Sequence, residues 1–96
     1  MLFEWDENKN KANIKKHGIG FAEASSVFYD DNAILFDDPD HSKDEERFLL
    51  IGMSISTRVL IVSHCYRSMG EVIRIISARK ATKPETDFYV QGGGKL

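Results

Sequence analysis

The stretch that decides the fold is TRVLIVSHCYRSMGEVIRIISAR, residues 57–79. It contains two segments rich in Val and Ile, residues 57–67 and 71–79, on either side of Ser68-Met69-Gly70. β-Branched residues favour strands, and glycine readily takes the positive φ angles of tight turns. A turn this short cannot hold a crossover helix, so the two segments are predicted to pair as antiparallel strands.

Side chains of a strand point alternately to its two faces, which predicts how these residues divide. In the first segment one face would carry Val59, Ile61, Ser63, Cys65 and Arg67, and the other Arg58, Leu60, Val62, His64 and Tyr66. In the second, one face would carry Glu71, Ile73, Ile75, Ser77 and Arg79, and the other Val72, Arg74, Ile76 and Ala78. Both faces contain apolar residues, so the sheet is expected to be largely buried on both sides.

The rest of the chain contains further strand candidates and three helix candidates. The strands are predicted at residues 2–5, 33–36 and 47–54, and the helices at about 7–17, 21–28 and 83–90. Asp6 and Thr82 stand where N-cap residues belong, and Glu85 would complete a capping box with Thr82. Gly18 stands where a helix-ending glycine is common.

Together these elements predict a single α+β domain, residues 1–90. Two N-terminal helices would pack on an antiparallel sheet of about four strands, with a short C-terminal helix. Residues 91–96 are expected to be a disordered tail because three consecutive glycines resist any fixed conformation. The helices must cover one sheet face, and the other face, partly open, is where function is expected.

The composition is that of one soluble globular domain. The chain has 96 residues, of which 42% are hydrophobic and 29% are charged. No apolar run approaches the roughly 20 residues that span a bilayer, and the acidic N-terminal residues do not match a signal peptide. Cys65 is the only cysteine, so no internal disulfide is expected. We therefore expect a cytoplasmic protein without membrane contact.

Charge is divided unevenly along the chain, whose net charge is −2. Residues 1–48 contain twelve acidic and six basic residues, whereas residues 49–96 contain three acidic and seven basic ones. The second half could therefore present a basic face to a polyanion such as nucleic acid, or simply a dipolar surface.

The charged residues of the second half mark the candidate site. Arg67 and Arg79 lie at the far ends of neighbouring strands, about 25 Å apart if both strands are straight, so they need not form one site. Arg74 lies mid-strand, closer to His64. Arginine suits phosphate because its planar guanidinium donates paired hydrogen bonds, while histidine and glutamate can transfer protons.

Two other chemistries are not favoured by the pattern. His64 and Cys65 are adjacent in a strand and would point to opposite faces, which argues against a thiol–imidazole dyad. His17, His41 and His64 lack the close spacing of metal ligands. We therefore expect neither a metal site nor a cofactor.

An ordered set of short motifs resembles the BrnT family. It comprises Phe3-Glu4-Trp5-Asp6-Glu7, Lys9, Asn13, Lys16-His17-Gly18-Ile19, Phe21-Ala22-Glu23-Ala24, His41-Ser42, Glu45-Glu46-Arg47-Phe48, Ile51-Gly52, Arg67, Ile73-Arg74-Ile75-Ile76-Ser77-Ala78-Arg79-Lys80-Ala81-Thr82, Glu85 and Tyr89. Each motif is weak alone, but together they span about residues 3–89 in the expected order.

The resemblance implies a toxin of a type II toxin–antitoxin pair with a compact RelE-like fold. It implies a metal-independent endoribonuclease that cleaves RNA through attack of the 2′-hydroxyl and thereby inhibits translation. It also implies a ribbon-helix-helix antitoxin of the BrnA type, which neutralises the toxin and makes the DNA contacts of the complex.

Residue by residue, Arg67 and Arg79 are similar to the family's functional arginines. The chain departs from the family pattern before Arg67, where Cys65-Tyr66 replaces a Thr-Glu sequence. A glutamate acid or base is thus absent there, and His64 becomes a candidate substitute. The predicted catalytic residues are Arg67, Arg79, His64 and Glu46, and the predicted RNA-binding residues are Arg47, Arg74 and Lys80.

Two alternatives remain open. A catalytically inactive binding module would act only inside a transcription-regulating toxin–antitoxin complex, and the departure at Cys65-Tyr66 and the glycine-rich tail favour it. A thiol- or metal-dependent enzyme would instead lose activity on Cys65→Ser substitution or with a chelator.

Overall fold

The computed structural model describes residues 1–40 and 45–93 of the chain. In chain order these residues form β1 Leu2–Glu4, α1 Glu7–His17, α2 Phe21–Ser26, β2 Ile34–Asp37, β3 Phe48–Met53, β4 Val59–Arg67, β5 Val72–Lys80 and α3 Lys83–Val90. A 3-10 turn, Val27–Tyr29, continues α2. Among the described helices none is long and apolar enough to cross a membrane. His41 and Ser42, which form one of the family-like motifs, lie outside the described residues.

The predicted ends of the first and third helices are confirmed, whereas the α-helical part of the second ends at Ser26. The Asp6 carboxylate accepts hydrogen bonds from the amides of Asn8 at 2.8 Å and Lys9 at 3.2 Å, and Gly18 closes α1 in the left-handed conformation, with φ 72°. Thr82 and Glu85 form the predicted capping box at the start of α3. Local sequence signals predict these positions because an N-cap side chain accepts hydrogen bonds from the free amides in the first turn of its own helix.

The sheet differs from the prediction in its number of strands and in one pairing. It has five strands in the order β1-β5-β4-β3-β2, and β1 pairs with β5 in parallel, whereas the other pairs are antiparallel. The prediction of about four antiparallel strands is therefore wrong. After β1 the chain forms α1 and α2, and it forms β5 only much later. No turn in the sequence indicates this long-range pairing.

A β-bulge interrupts the pairing of β4 with β5. Ser63 lies opposite Ser77, but His64 lies opposite Ile75, so that Ile76 is an extra residue in β5. An extra residue shifts the alternation of side chains by one position. The uninterrupted alternation predicted for residues 71–79 is therefore wrong.

The core lies between the two N-terminal helices and one sheet face. Its buried residues are Ile19, Phe21, Ala24, Val27, Leu50, Leu60, Val62, Ile75 and Ala78. Asn13 of α1 is buried among them; its amide nitrogen donates to the carbonyls of Ile19 and Ala78, both at 2.8 Å, and its oxygen accepts the Ala78 amide at 3.1 Å. Because β1 pairs only with residues 72–74 of β5, Asn13 takes the place of a strand beside Ala78.

The C-terminal helix covers one end of the opposite sheet face. Ile34, Ile51, Ile61 and Arg79 form one row across β2, β3, β4 and β5. Glu85 of α3 binds Arg79 at one end of this row, and Gly93, in the turn after α3, lies against Ile34 at the other. Ile51 and Ile61 in the middle are buried. Residues 91–93 thus close α3 as a turn, and residues 94–96 of the predicted tail lie outside the described residues.

Gly52→Ala tests the packing of β3 against the 3-10 turn. A Cβ at Gly52 would lie 2.8 Å from Val27 Cγ1 and 3.0 Å from Ala33 Cβ. We expect the free energy of unfolding to fall by about 1–3 kcal/mol, the usual cost of overpacking, in urea titrations. Gly20→Ala is the control, because its Cβ would lie at an ordinary 3.5 Å from Ile14 Cδ1. Equal stability of the two variants would contradict this packing.

Candidate functional site

The sheet face opposite α1 and α2, here called the open face, carries the arginines. Residues paired directly across two strands share a face. The register therefore puts Glu4, Arg74 and Cys65 in one row across β1, β5 and β4. Arg67 lies on the same face, two residues further along β4. Because the bulge shifts the alternation, Arg79 also lies on this face, which brings together side chains predicted to lie on opposite faces.

Three arginines and two glutamates contact one another at the end of the open face away from α3. This arginine network consists of Arg47, Arg67, Arg74, Glu4 and Glu45. Glu4 Oε2 accepts a hydrogen bond from Arg74 Nη1 at 2.8 Å and lies 3.5 Å from Arg67 Nε. Glu45 Oε1 lies 3.4 Å from Arg47 Nε, and its Oε2 lies 4.0 Å from Arg67 Nη2.

Arg67 is the arginine of the network best placed to bind a ligand. Its side chain is 50% exposed, against 29% for Arg74. Its two ion pairs are long, and a contact of 3.5–4.0 Å is weaker than a hydrogen bond. Arg74 is held more firmly, and its hydrogen bond to Glu4 raises its pKa. A phosphate that binds Arg67 would therefore break only weak contacts with Glu4 and Glu45.

Arg79 belongs to a different part of the open face. Its partner across β4 is Ile61, six residues before Arg67, a separation of about 20 Å along the strand. Glu85 holds its guanidinium through two hydrogen bonds, of 2.7 and 2.9 Å. This bidentate pairing is the main reason why the pKa of Glu85 falls to about 2. Arg79 thus anchors α3 and lies outside the arginine network.

His64 lies on the helix-covered face and is fully buried. Its ring packs edge-on against Phe28 at 4.8 Å and Tyr66 at 5.2 Å. Nδ1 lies 3.1 Å from the Val62 carbonyl, which can only accept, so Nδ1 carries the proton and Nε2 accepts the Tyr66 hydroxyl at 3.2 Å. Burial lowers the pKa of His64, which favours this neutral ring. The structure does not bring His64 together with Arg67.

Two further predicted site residues take no part in the arginine network. Lys80 pairs across the sheet with Leu60, a core residue, and therefore faces the helix-covered side. Glu46 is exposed in the segment before β3, where its neighbour Glu45 makes the ion pairs with Arg47 and Arg67. Of the predicted RNA-binding residues, Arg47 and Arg74 lie in the network.

Glu4 and Glu45 were not predicted from the sequence as partners of the arginines. Phe3 packs against the core, so alternation in β1 was a usable signal that Glu4 points to the other face. The contact with Arg74 depends on the parallel pairing of β1 with β5, for which the sequence carries no local signal. Glu45 lies outside any strand, where no periodicity reveals its direction.

A small α+β domain with arginines on one open sheet face belongs to a class of proteins suited to bind a polyanion such as nucleic acid. Comparison with known families is more specific. Residues 5–85 match the family described as ribonuclease toxin, BrnT, of type II toxin-antitoxin system. The chain therefore belongs to the BrnT family of ribonuclease toxins, and the resemblance inferred from its motifs is confirmed.

A solved structure supports the same assignment. The chain is similar to the ribonuclease toxin BrnT of Brucella abortus, known from a crystal structure at 1.1 Å resolution. The two share 27% sequence identity, and the match covers 86% of this chain and 100% of that chain with a TM-score of 0.66. No curated protein matches the chain. The likeness confirms the predicted α+β class.

Glu85→Gln tests the anchoring of α3 through its pH dependence. The folded-state pKa of Glu85, about 2, lies below its ordinary value of 4.5. Its stabilisation is therefore present above about pH 4.5 and is lost as the pH falls toward 2. Between pH 4.5 and 2 we expect the free energy of unfolding to fall less in the variant than in the wild type. The difference between the two losses should be about 1 kcal/mol, because solvent screens this ion pair. Asp87→Asn, whose partner Lys83 is largely exposed, is the control; identical pH profiles for wild type and Glu85→Gln would contradict the anchoring.

His64→Leu separates a structural role from a catalytic one. The leucine leaves the Tyr66 hydroxyl and the Val62 carbonyl without their partner, so we expect the free energy of unfolding to fall by about 1–3 kcal/mol. Because His64 lies on the face away from Arg67, the folded variant should still cleave RNA at a rate close to that of the wild type. A folded His64→Leu protein without ribonuclease activity would restore His64 as a catalytic residue.

Proposed function

We propose that this chain is the endoribonuclease toxin of a type II toxin–antitoxin pair and that its arginine network binds RNA phosphate. The observation that carries the proposal is the position of Arg67, half exposed and loosely paired beside Arg74 and Arg47. Guanidinium groups donate paired, charge-assisted hydrogen bonds to phosphate oxygens. Family membership supports ribonuclease activity, and the network brings three arginines together at one end of the described open face.

The reaction we propose is attack of a 2′-hydroxyl on the adjacent phosphorus. A bond forms between the 2′-oxygen and phosphorus, and the bond from phosphorus to the 5′-oxygen breaks. Negative charge develops on the phosphate oxygens in the transition state, and fixed donors aimed at these oxygens lower the barrier. Arg67 would supply such donors, with Arg74 beside it. Guanidinium groups provide this positive charge without a metal ion.

The 2′-hydroxyl must lose its proton to a base that reaches the 2′-oxygen, and the departing 5′-oxygen must take up a proton from that group or from water. The burial of His64 on the other face does not support the role predicted for it, which stays a prediction. The catalytic role of Glu46 also stays a prediction. Arg79 and Lys80 lie apart from the network. Arg79 could contact only a more distant phosphate of the same RNA molecule, and only after it is released from Glu85.

We further propose that the cleavage inhibits translation and that a ribbon-helix-helix antitoxin of the BrnA type neutralises the toxin. In this arrangement the antitoxin makes the DNA contacts of the complex. These statements rest on the resemblance to the family rather than on geometry. A closer relation of the fold to RelE-type ribonucleases likewise stays a prediction.

One observation favours the alternative of a catalytically inactive binding module. Each of Arg47, Arg67, Arg74 and Arg79 is paired with a carboxylate within the described residues. A face whose cations are already neutralised binds RNA less tightly than one with free cations. The experiment below separates the two functions.

Arg67→Ala tests the proposed function in cells and in vitro. Loss of a donor to the developing phosphate charge typically costs about 10²–10³-fold in rate. We expect induced wild-type protein to stop growth and to produce new RNA 5′ ends in primer extension, and Arg67→Ala to do neither while it remains folded.

Lys80→Ala is the matched control, because it removes a cation from the helix-covered side of the sheet. It should cleave RNA like the wild type. A soluble, folded wild-type chain that leaves RNA intact would contradict the endoribonuclease proposal and favour the binding module. Cleavage by Arg67→Ala at the wild-type rate would remove Arg67 from the mechanism.

A further inference from the structure

Phosphate binding alone does not explain the position of Glu4. A carboxylate near a phosphate site repels the substrate, so a site built only for affinity would have no acid between its arginines. Yet Glu4 Oε2 accepts a hydrogen bond from Arg74 Nη1 at 2.8 Å and lies 3.5 Å from Arg67 Nε. The same oxygen atom makes both contacts. This single oxygen therefore lies between the two guanidinium groups and attracts both of them.

The backbone gives Glu4 a defined place on the open face. The Phe3 ring packs edge-on against Phe28 at 5.4 Å on the helix-covered side. Strand pairing sets Phe3 opposite Ile73 and Glu4 opposite Arg74. Because neighbouring residues of a strand point to opposite faces, the partly buried Phe3 on the helix-covered side places Glu4 on the open face. The glutamate side chain is shorter than the two arginine side chains, so the strand backbone restricts the position of its carboxylate more closely.

The contact with Glu4 leaves the rest of Arg67 available. It uses Nε, so both terminal nitrogens can still donate to a phosphate. Among the described residues, the other carboxylate paired with Arg67 is that of Glu45, whose Oε2 lies 4.0 Å from Arg67 Nη2, beyond hydrogen-bond reach. Without Glu4, a half-exposed arginine on a strand end would sample many rotamers, and each lost rotamer adds to the cost of binding.

We propose that Glu4 is a positioning residue for RNA cleavage, holding Arg67 and Arg74 together so that both face one phosphate. The substrate in this inference rests on the proposed function. Glu4 acts through the two arginines and forms no bond to RNA. Its negative charge weakens phosphate binding somewhat, and in return Arg67 is already oriented when the substrate arrives.

Cleavage kinetics test this role with three substitutions. Glu4→Gln removes the charge and keeps the shape, Glu4→Asp keeps the charge, and Glu45→Gln removes the looser partner of Arg67 as a control. We expect Glu4→Gln to lower kcat about 10-fold with little change in KM, because a displaced positioning group costs rate. Glu4→Asp should recover part of the loss, and Glu45→Gln should lower kcat much less.

The same substitution in an Arg67→Ala background shows whether Glu4 acts through Arg67. Residues that act as a unit are not additive, so Glu4→Gln should cost little more once Arg67 is absent. A loss as large as in the wild-type background would mean that Glu4 contributes independently, for example by moving a proton itself. That result would overturn the positioning role.

A spectroscopic measurement decides the same point without reference to activity. In NMR spectra of the full chain, the Nε–H group of Arg67 should exchange with water several-fold faster in Glu4→Gln than in Glu45→Gln, because only Glu4→Gln removes the carboxylate beside Nε, 3.5 Å away. Unchanged exchange would overturn the proposal. If the wild type cleaves no RNA, the proposed function fails, while the exchange rates still show whether Glu4 holds Arg67.

Discussion

A single extra residue in β5 determines which side chains can act together. If β5 alternated without interruption, Arg74 would share a face with Ala78 and point into the core, where an arginine without full pairing is costly to bury. The bulge at Ile76 lets Ile75 and Ala78 both face the helices. Arg74 and Arg79 then both reach the open face. The phosphate-binding arrangement proposed for Arg67 and Arg74 depends on this shift.

The two sheet faces consequently differ in chemistry. The helix-covered face holds the apolar core and His64, whose hydrogen bonds are satisfied within the fold. On the open face, α3 covers the row from Ile34 to Arg79 and leaves the other end accessible. Three arginines lie close together at this accessible end. Glu4 and Glu45 pair with them and so limit the repulsion among the three cations.

Local signals made a large part of the fold predictable. The caps at Asp6, Gly18 and Thr82 were readable because a cap acts on the helix turn next to it, and β-branched residues marked the central hairpin. The parallel pairing of β1 and the bulge at Ile76 were not readable, since both arise from long-range packing. Arg47, Arg67 and Arg74 were therefore predicted as separate candidates, and their assembly around Glu4 could not be foreseen.

Binding of RNA to the open face can be measured by NMR chemical-shift mapping with a 2′-deoxy-substituted oligonucleotide, which cannot be cleaved through a 2′-hydroxyl. We expect the largest shifts at Arg47, Arg67 and Arg74, with the resonances of His64 and Phe28 nearly unchanged. Shifts concentrated around His64, Tyr66 and Phe28 would instead place the RNA on the helix-covered side, and the open face would then not be the RNA-binding surface.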